Sequence, residues 1–290
     1  MRIVFIGAVE FSRATLAAVL EAGGNVVGVL TLAPEAAGFH SDYADLGPLA
    51  ERHNVSVFRI RDVGDRETVE LIRRLKPDVI FVFGWSRLIP AEVLELPPLG
   101  CVGTHPALLP EHRGRHPIVW ALAEGLEESG LTFFYLDETA DSGDILWQRP
   151  FAIDPEDDAA ALYAKIEALA VEAIREFLPE LEAGTASRTP QDAARASYWR
   201  KRTDADRRID WGAPTASIHN LVRALARPYV GALAELEGRP VIVWRARRPA
   251  EEPDREALES PSGTVVARRR DAVDVRTGDS VITLLEIEAP

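Results

Sequence analysis

A chain of 290 residues with 47% hydrophobic side chains has material for one large domain or two smaller ones around a real core. Its single cysteine, Cys101, excludes an internal disulfide and a zinc site built from cysteine clusters, and it fits a reducing cytoplasm. The balance of 33 basic against 46 acidic residues, net −13, makes a poor overall surface for nucleic acid.

In chain order, MRIVFIGA (1–8) reads as a buried strand entering a glycine turn, and 11–22 as a helix stopped by Gly23-Gly24. The opening apolar run breaks at Glu10 with no small-residue cleavage site, so secretion is not expected. No later run reaches the length of a membrane span. Strands are expected at 25–32, 55–60 and 78–84, and helices at 44–53 and 68–75. This alternation predicts an α/β fold, a doubly wound, Rossmann-like parallel sheet with crossover helices. The turn after the first strand carries one glycine, Gly7, and lacks both the dinucleotide fingerprint and the P-loop. It reads as a tight turn.

Helical spacing runs through 154–184 and closes at Gly184, and the polar stretch 185–207 reads as a linker. A helix follows Pro214. Then come five short strand-like runs, LAELEG, PVIVWRA, GTVVARR, AVDVRTG and SVITLLEIE, expected to form a small β-barrel or sandwich. Residues 251–263 read as a surface loop. The acidity is uneven: residues 1–199 hold 17 basic and 31 acidic side chains, residues 200–290 hold 16 and 15.

Ligands of an open parallel sheet bind beyond the carboxyl ends of its strands. One such end is GCVGTHPALLP, where His105 leaves an apolar strand into a proline-locked loop. The other expected end is DETADSGDILWQ (137–148), an acidic loop after the apolar LTFFYL. A histidine is either a satisfied turn residue or a group that moves a proton near neutral pH. A carboxylate beside it, Asp141 or Asp144, favours the imidazolium. Such a pair suits attack of an amine on a carbonyl. Arg113 and Arg115, flanking Gly114, read either as solvated loop residues or as paired donors for phosphate or carboxylate. No spacing for metal ligands is present.

The stretches THPALLPEHRGRHPIVWAL (104–122) and ETADSGDIL (138–146) resemble the folate-dependent formyltransferases, the family of methionyl-tRNA formyltransferase. They look most like the branch that formylates nucleotide-linked amino sugars. The resemblance implies that His105 and Asp141 are catalytic. VFGWSRLIP (82–90) resembles the loop that contacts the pterin of 10-formyltetrahydrofolate, which implies a donor pocket at Trp85, Arg87, Leu88 and Ile89 with Thr139 and Asp141. It also implies acceptor contacts at Leu109, Pro110, Arg113 and Arg115. IDW (209–211), NLVRAL (220–225) and RPYVGA (227–232) resemble the start of the family's C-terminal domain. The expected organisation is therefore a catalytic domain at 1–185, a linker at 186–207 and an OB-like C-terminal domain at 208–290.

One position departs from the family. Where it carries an asparagine two residues before the histidine, this chain has Gly103. Loss of one oxyanion donor costs roughly 10²–10³ in rate, so a water in the vacated space, or His105 itself, is expected to replace it. The implied reaction is formyl transfer from 10-formyltetrahydrofolate, as co-substrate and without a metal, to a nucleotide-linked amino sugar in the cytoplasm. Initiator-tRNA formylation and a folate-binding homologue without catalysis are the alternatives. The acidic first part argues against tRNA. His40, Ser41, Asp42, Tyr43 and Trp120 read either as further acceptor contacts or as ordinary surface and packing residues, Trp120 rather as core in its apolar helical run, and a second copy of the chain is a candidate partner.

Overall fold

The computed structural model describes residues 1–36, 42–249 and 253–289. Candidates His40 and Ser41 lie outside the described residues. The chain forms two compact units, the first from residues 1–114, 130–151 and 164–198, the second from 115–129, 152–163 and 199–290.

The strands of the first part are β1 (Arg2–Ile6), β2 (Asn25–Leu32), β3 (Val57–Ile60), β4 (Val79–Val82), β5 (Cys101–His105), the two-residue β6 (Arg113–Gly114), β7 (Glu128–Tyr135) and β8 (Ile145–Ala152). The helices are α1 (Glu10–Glu21), α2 (Gly47–Arg52), α3 (Arg66–Leu75), α4 (Ala91–Leu94), α5 (Pro117–Ala123) and α6 (Ala159–Ala183). Seven strands make one sheet in the order β3-β2-β1-β4-β5-β7-β8. The first five are parallel. The order reverses between β1 and β4, which makes the doubly wound switch point.

Continuous apolar runs such as RIVFI and VIFV are buried on both faces, as central parallel strands require. Alternate residues sort the core. Val4, Ile6, Ile80 and Val82 join Val69, Ile72 and Val93 in one cluster. On the opposite side Phe5, Phe81, Phe83 and Phe133 form one aromatic cluster in which Phe81 and Phe133 contact Phe177 of α6, the centroids of Phe133 and Phe177 being 4.9 Å apart.

The sheet departs from the expected parallel pattern at β7, which runs antiparallel to β5 with His105 opposite Thr132 and Val102 opposite Tyr135. An antiparallel neighbour needs no crossover to return to the starting edge. The acidic loop therefore leaves β7 beside Cys101, where the Leu136 N–H donates to the Cys101 carbonyl, rather than from the end that bears His105. Residues 145–148 of the expected loop belong to strand β8.

The second unit carries β9 (Tyr198–Trp199) from its Trp199, then α7 (Thr215–Ala224), β10 (Ala232–Leu236), β11 (Arg239–Arg247), α8 (Arg255–Glu259), β12 (Val265–Arg269), β13 (Ala272–Arg276) and β14 (Val281–Glu288). All five strand-like runs are strands of one antiparallel sheet, ordered β10-β11-β14-β13-β12. The first hairpin turns on Glu237 and Gly238, both at positive φ, as a tight turn matched to strand twist requires. A short helix, α8, occupies part of the expected 251–263 loop, with the Asp254 carboxylate accepting from the Ala257 N–H. Asp279 holds the start of α7, accepting from the Thr215 N–H at 2.7 Å and hydroxyl at 2.8 Å. No helix of the described residues is long and apolar enough to cross a membrane.

Candidate active site

The switch point is closed by a side chain of the protein itself. Ser12, fully buried in the first turn of α1, donates to the Phe83 carbonyl at 2.7 Å and accepts from the N–H groups of Ala8 and Val9. Donors that could have held a phosphate are thus satisfied internally, a part for Ser12 that residue type alone does not signal.

His105 is 4% exposed at the carboxyl end of β5. The loop behind it is held by a polar net on buried Thr132. Thr132 Oγ1 donates to the Ala107 carbonyl, and Gln148 Nε2 donates to the Leu109 carbonyl and to Thr132 Oγ1. His105 Nε2 lies 2.7 Å from the His112 carbonyl. A carbonyl only accepts, so Nε2 carries the hydrogen and Nδ1 presents the other side of the ring. Nδ1 faces Asp141 Oδ2 at 3.7 Å, an ion-pair distance rather than a hydrogen bond. Asp141 Oδ2 also accepts from the Gly114 N–H at 2.8 Å.

Asp141 reaches this place because the loop after β7 folds back over β5. A Cβ on Gly103 would lie 2.5 Å from Leu136 Cδ2. The expected space for a water is therefore absent: Leu136 occupies it, and the missing side chain is what lets Leu136 lie there. Gly143 is required by close approach, since a Cβ there would sit 1.8 Å from the Tyr135 carbonyl oxygen. Asp141 holds φ +58°, a left-handed conformation that aspartate tolerates better than most residues. Asp144, the other carboxylate considered, gives its carbonyl to the Tyr135 N–H.

The remaining candidates separate. Arg113 is buried, not solvated: Nε and one terminal nitrogen donate to Gln191 Oε1, at 3.2 and 2.7 Å, and the other donates to Tyr198 Oη at 2.9 Å. Arg115 is exposed. Leu109 and Pro110 are both buried; the Leu109 carbonyl accepts from Gln148 and that of Pro110 from the Ser197 N–H. In the loop after β4, Ile89 is buried and Leu88 is 70% exposed. Arg87 is bound to the Arg61 carbonyl and the Asp62 carboxylate. The Trp85 indole N–H is buried without a hydrogen-bond partner. Thr139 is exposed, its N–H donating to Asp137 Oδ1. Tyr43 gives its hydroxyl hydrogen to the Leu32 carbonyl, the Asp42 carbonyl accepts from the Glu10 N–H, and Trp120 Nε1 donates to the Arg200 carbonyl.

Sequence reasoning missed the partners that fix the pair, namely the His112 carbonyl, the Gly114 N–H, Ser197 and Gln191. Two are backbone groups, invisible to residue type, and the other two lie in the segment read as a linker. Cys101, beside the site in sequence, is no nucleophile: burial pushes its thiol up to about 12. No cluster of three or more histidine, cysteine or carboxylate groups suited to a metal occurs among the described residues.

Residues 1–178 match the Formyl transferase family and residues 201–290 match the Formyl transferase C-terminal domain. The chain belongs to the formyltransferase family. It is 32% identical over 295 aligned positions to a methionyl-tRNA formyltransferase of Caldanaerobacter subterraneus subsp. tengcongensis, covering 99% of this chain and 92% of the relative. Among solved structures, it resembles HypX from Aquifex aeolicus in complex with tetrahydrofolic acid (TM-score 0.69, 26% identity), of which the aligned region covers 99% of this chain and 44% of HypX. The chain thus spans less than half of that longer protein. The fold is also that of an N-formyltransferase from Helicobacter canadensis solved with folinic acid and dTDP-3-aminofucose (TM-score 0.72, 16% identity, 99% of each chain). The chain is a formyltransferase.

Proposed function

We propose that this formyltransferase moves the formyl group of 10-formyltetrahydrofolate to the amine of a nucleotide-linked amino sugar, with His105 and Asp141 as the reacting pair. The observation that carries the reading is the His105 ring, pinned at Nε2 by the His112 carbonyl and open at Nδ1 toward Asp141. The folate supplies an activated formyl carbon. As the acceptor nitrogen bonds to that carbon, the nitrogen must lose a proton and the formyl oxygen gathers charge. Nδ1 takes the proton, and the Asp141 carboxylate stabilises the resulting imidazolium. The same imidazolium moderates the charge on the oxygen in place of the family asparagine. The proton then passes to the folate nitrogen as the C–N bond breaks.

The donor lies along residues 85–89 in this reading, where the exposed Leu88 side chain and the unpartnered Trp85 indole N–H suit a flat, polar-edged ring. A small acceptor is supported by the net charge of −13, which opposes an RNA backbone. It is also supported by the shared fold with an enzyme solved with dTDP-3-aminofucose. The 32% identity to a methionyl-tRNA formyltransferase favours a second reading, in which the acceptor is charged initiator tRNA.

The test is to incubate the full chain with 10-formyltetrahydrofolate and a panel of nucleotide-linked amino sugars, dTDP-3-aminofucose among them, beside methionyl-tRNA. Tetrahydrofolate release and the acceptor's mass are measured. Release matched by a formylated sugar supports the proposal, and formylated methionyl-tRNA alone replaces it with the second reading. His105→Ala and Asp141→Asn are each expected to lower kcat by about 10²–10⁴-fold. Near-wild-type turnover in either variant would overturn the assignment of the pair.

A further inference from the structure

The segment after α6 is not a free connection. Arg188 donates to the Leu99 carbonyl and lies over the Tyr135 ring, and Thr189 exchanges backbone hydrogen bonds with Ile145. Arg195 pairs with Glu111 at 2.7 Å. Ser197 Oγ accepts from the His112 N–H at 2.8 Å, and its carbonyl accepts from the Arg113 N–H. Residues 188–198 therefore strap the first unit across both loops that meet at His105.

Two bonds of the strap reach the partners of the two ring nitrogens. On the Nε2 side, Ser197 fixes His112, whose carbonyl holds Nε2. On the Nδ1 side, Gln191 Nε2 donates to the Asp141 carbonyl at 3.0 Å and to the Gly143 carbonyl at 2.7 Å. The orientation of the amide is set by Arg113, whose two donors require Oε1 to face them. Turned over, the amide would oppose N–H to guanidinium and oxygen to two carbonyls. The position thus uses an acceptor at one end and two donors at the other, which an amide offers and a carboxylate or thioether of the same length does not.

We propose that Gln191 is a positioning residue of the reaction: clamped by Arg113, it holds the left-handed turn at Asp141 so that the carboxylate faces His105 Nδ1. The inference rests on the reading of His105 and Asp141 as the reacting pair. A residue at positive φ keeps that conformation only where its surroundings over-determine it. Here the Gly114 N–H fixes the carboxylate and Gln191 fixes the carbonyls on both sides of Ser142. Without the amide the loop keeps its side-chain anchor but loses its backbone one. Arg113 then has one role in this site, as the inner half of the clamp.

Gln191→Met keeps the length and removes every hydrogen bond. Gln191→Glu keeps the bond to Arg113 and removes the donors, so it answers the question should the first variant fold poorly. Two measurements are made on the full chain. One is kcat and KM, with 10-formyltetrahydrofolate and whichever acceptor of the panel above the wild type formylates. The other is the side-chain ¹⁵N spectrum of histidine-labelled protein, with the His105 signals assigned from His105→Ala and Asp141→Asn as reference. Misplacing a reacting group by about 1 Å costs up to about 10²-fold. The expected result is therefore a kcat about 10–100-fold lower, KM values within about threefold, and His105 ring signals moved from the wild-type positions toward those of Asp141→Asn. Wild-type kcat, or a lowered kcat with His105 signals unmoved, would overturn the clamp. If the wild-type chain formylates nothing, the function proposed above fails, while the ring signals, read without substrate, still decide the clamp.

Discussion

Gly103 stands where a side chain would have changed the site. It accommodates Leu136, and Leu136 begins the loop that carries Asp141 back over β5. Gly103→Asn forces Leu136 aside, and overpacking of this kind costs about 1–3 kcal/mol. Because Leu136 is only half-buried and the conflict is with its methyl end, the lower part of that range is expected. Urea denaturation should show the loss, and Leu136→Ala should recover most of it in the double variant. No gain in kcat is expected from Gly103→Asn alone. An asparagine that left stability intact and raised the rate would mean that the site still has room for the family's donor. The choice between Asp141 and Asp144 was likewise beyond residue type, since both are loop carboxylates. The fold-back of the loop brings one to the histidine.

At the scale of elements, strand ends do the positioning. Carboxyl ends of β1 and β4 are tied to the first turn of α1 through one hydroxyl, Ser12 Oγ, with its three short bonds. Ser12→Ala leaves two N–H groups and a carbonyl unpaired in a fully buried place. One such group costs about 1–3 kcal/mol, so a loss of about 3 kcal/mol or more is expected in urea denaturation with the m-value unchanged. A loss below about 1 kcal/mol would show that the strand ends and helix hold together without it. The antiparallel turn of β7 has the largest consequence for function. In a wholly parallel sheet the acidic loop would share the His105 end of β5. Here it starts from the other end, which is why it needs Gly103, Gly143 and a strap to reach the ring.

For the molecule as a whole, acid is the expected weakness. Asp45, Asp62 and Asp279 lie below the usual carboxylate range because the N–H groups of Gly47, Gly64 and Thr215 respectively donate to them. Asp62 is helped further by Arg87. Each contributes stability that is present above the unfolded-state value, about 4, and lost as pH falls through the folded one. His116 is pushed down by burial and then by Arg202, Arg115 and Lys201, and His219 by burial and then by Arg248 and Arg223. For these the unfolded chain takes up the proton first, so their loss starts as pH drops below about 6.5. Glu167, pushed up by burial, acts in the opposite sense but stands alone against five. Calorimetry should find Tm falling from about pH 6.5 and faster below about pH 4. A Tm constant from pH 7 to pH 3 would contradict these directions.

The sequence by itself determined the α/β class, the strands before β5 and the helices before it other than α4, the five strands of the C-terminal sheet, and the formyltransferase motifs around His105 and Asp141. Each is written in local terms: apolar runs, helical spacing, turn residues, and short motifs of neighbouring residues. What joined His105 to the His112 carbonyl, Asp141 to the Gly114 N–H, and both loops to Gln191 and Ser197 was decided only by the tertiary structure. Gln191 lies 50 residues from Asp141 along the chain, in a polar stretch without periodicity. Such a contact follows from how the strands pair and where the chain must then pass, not from the residues on either side of it.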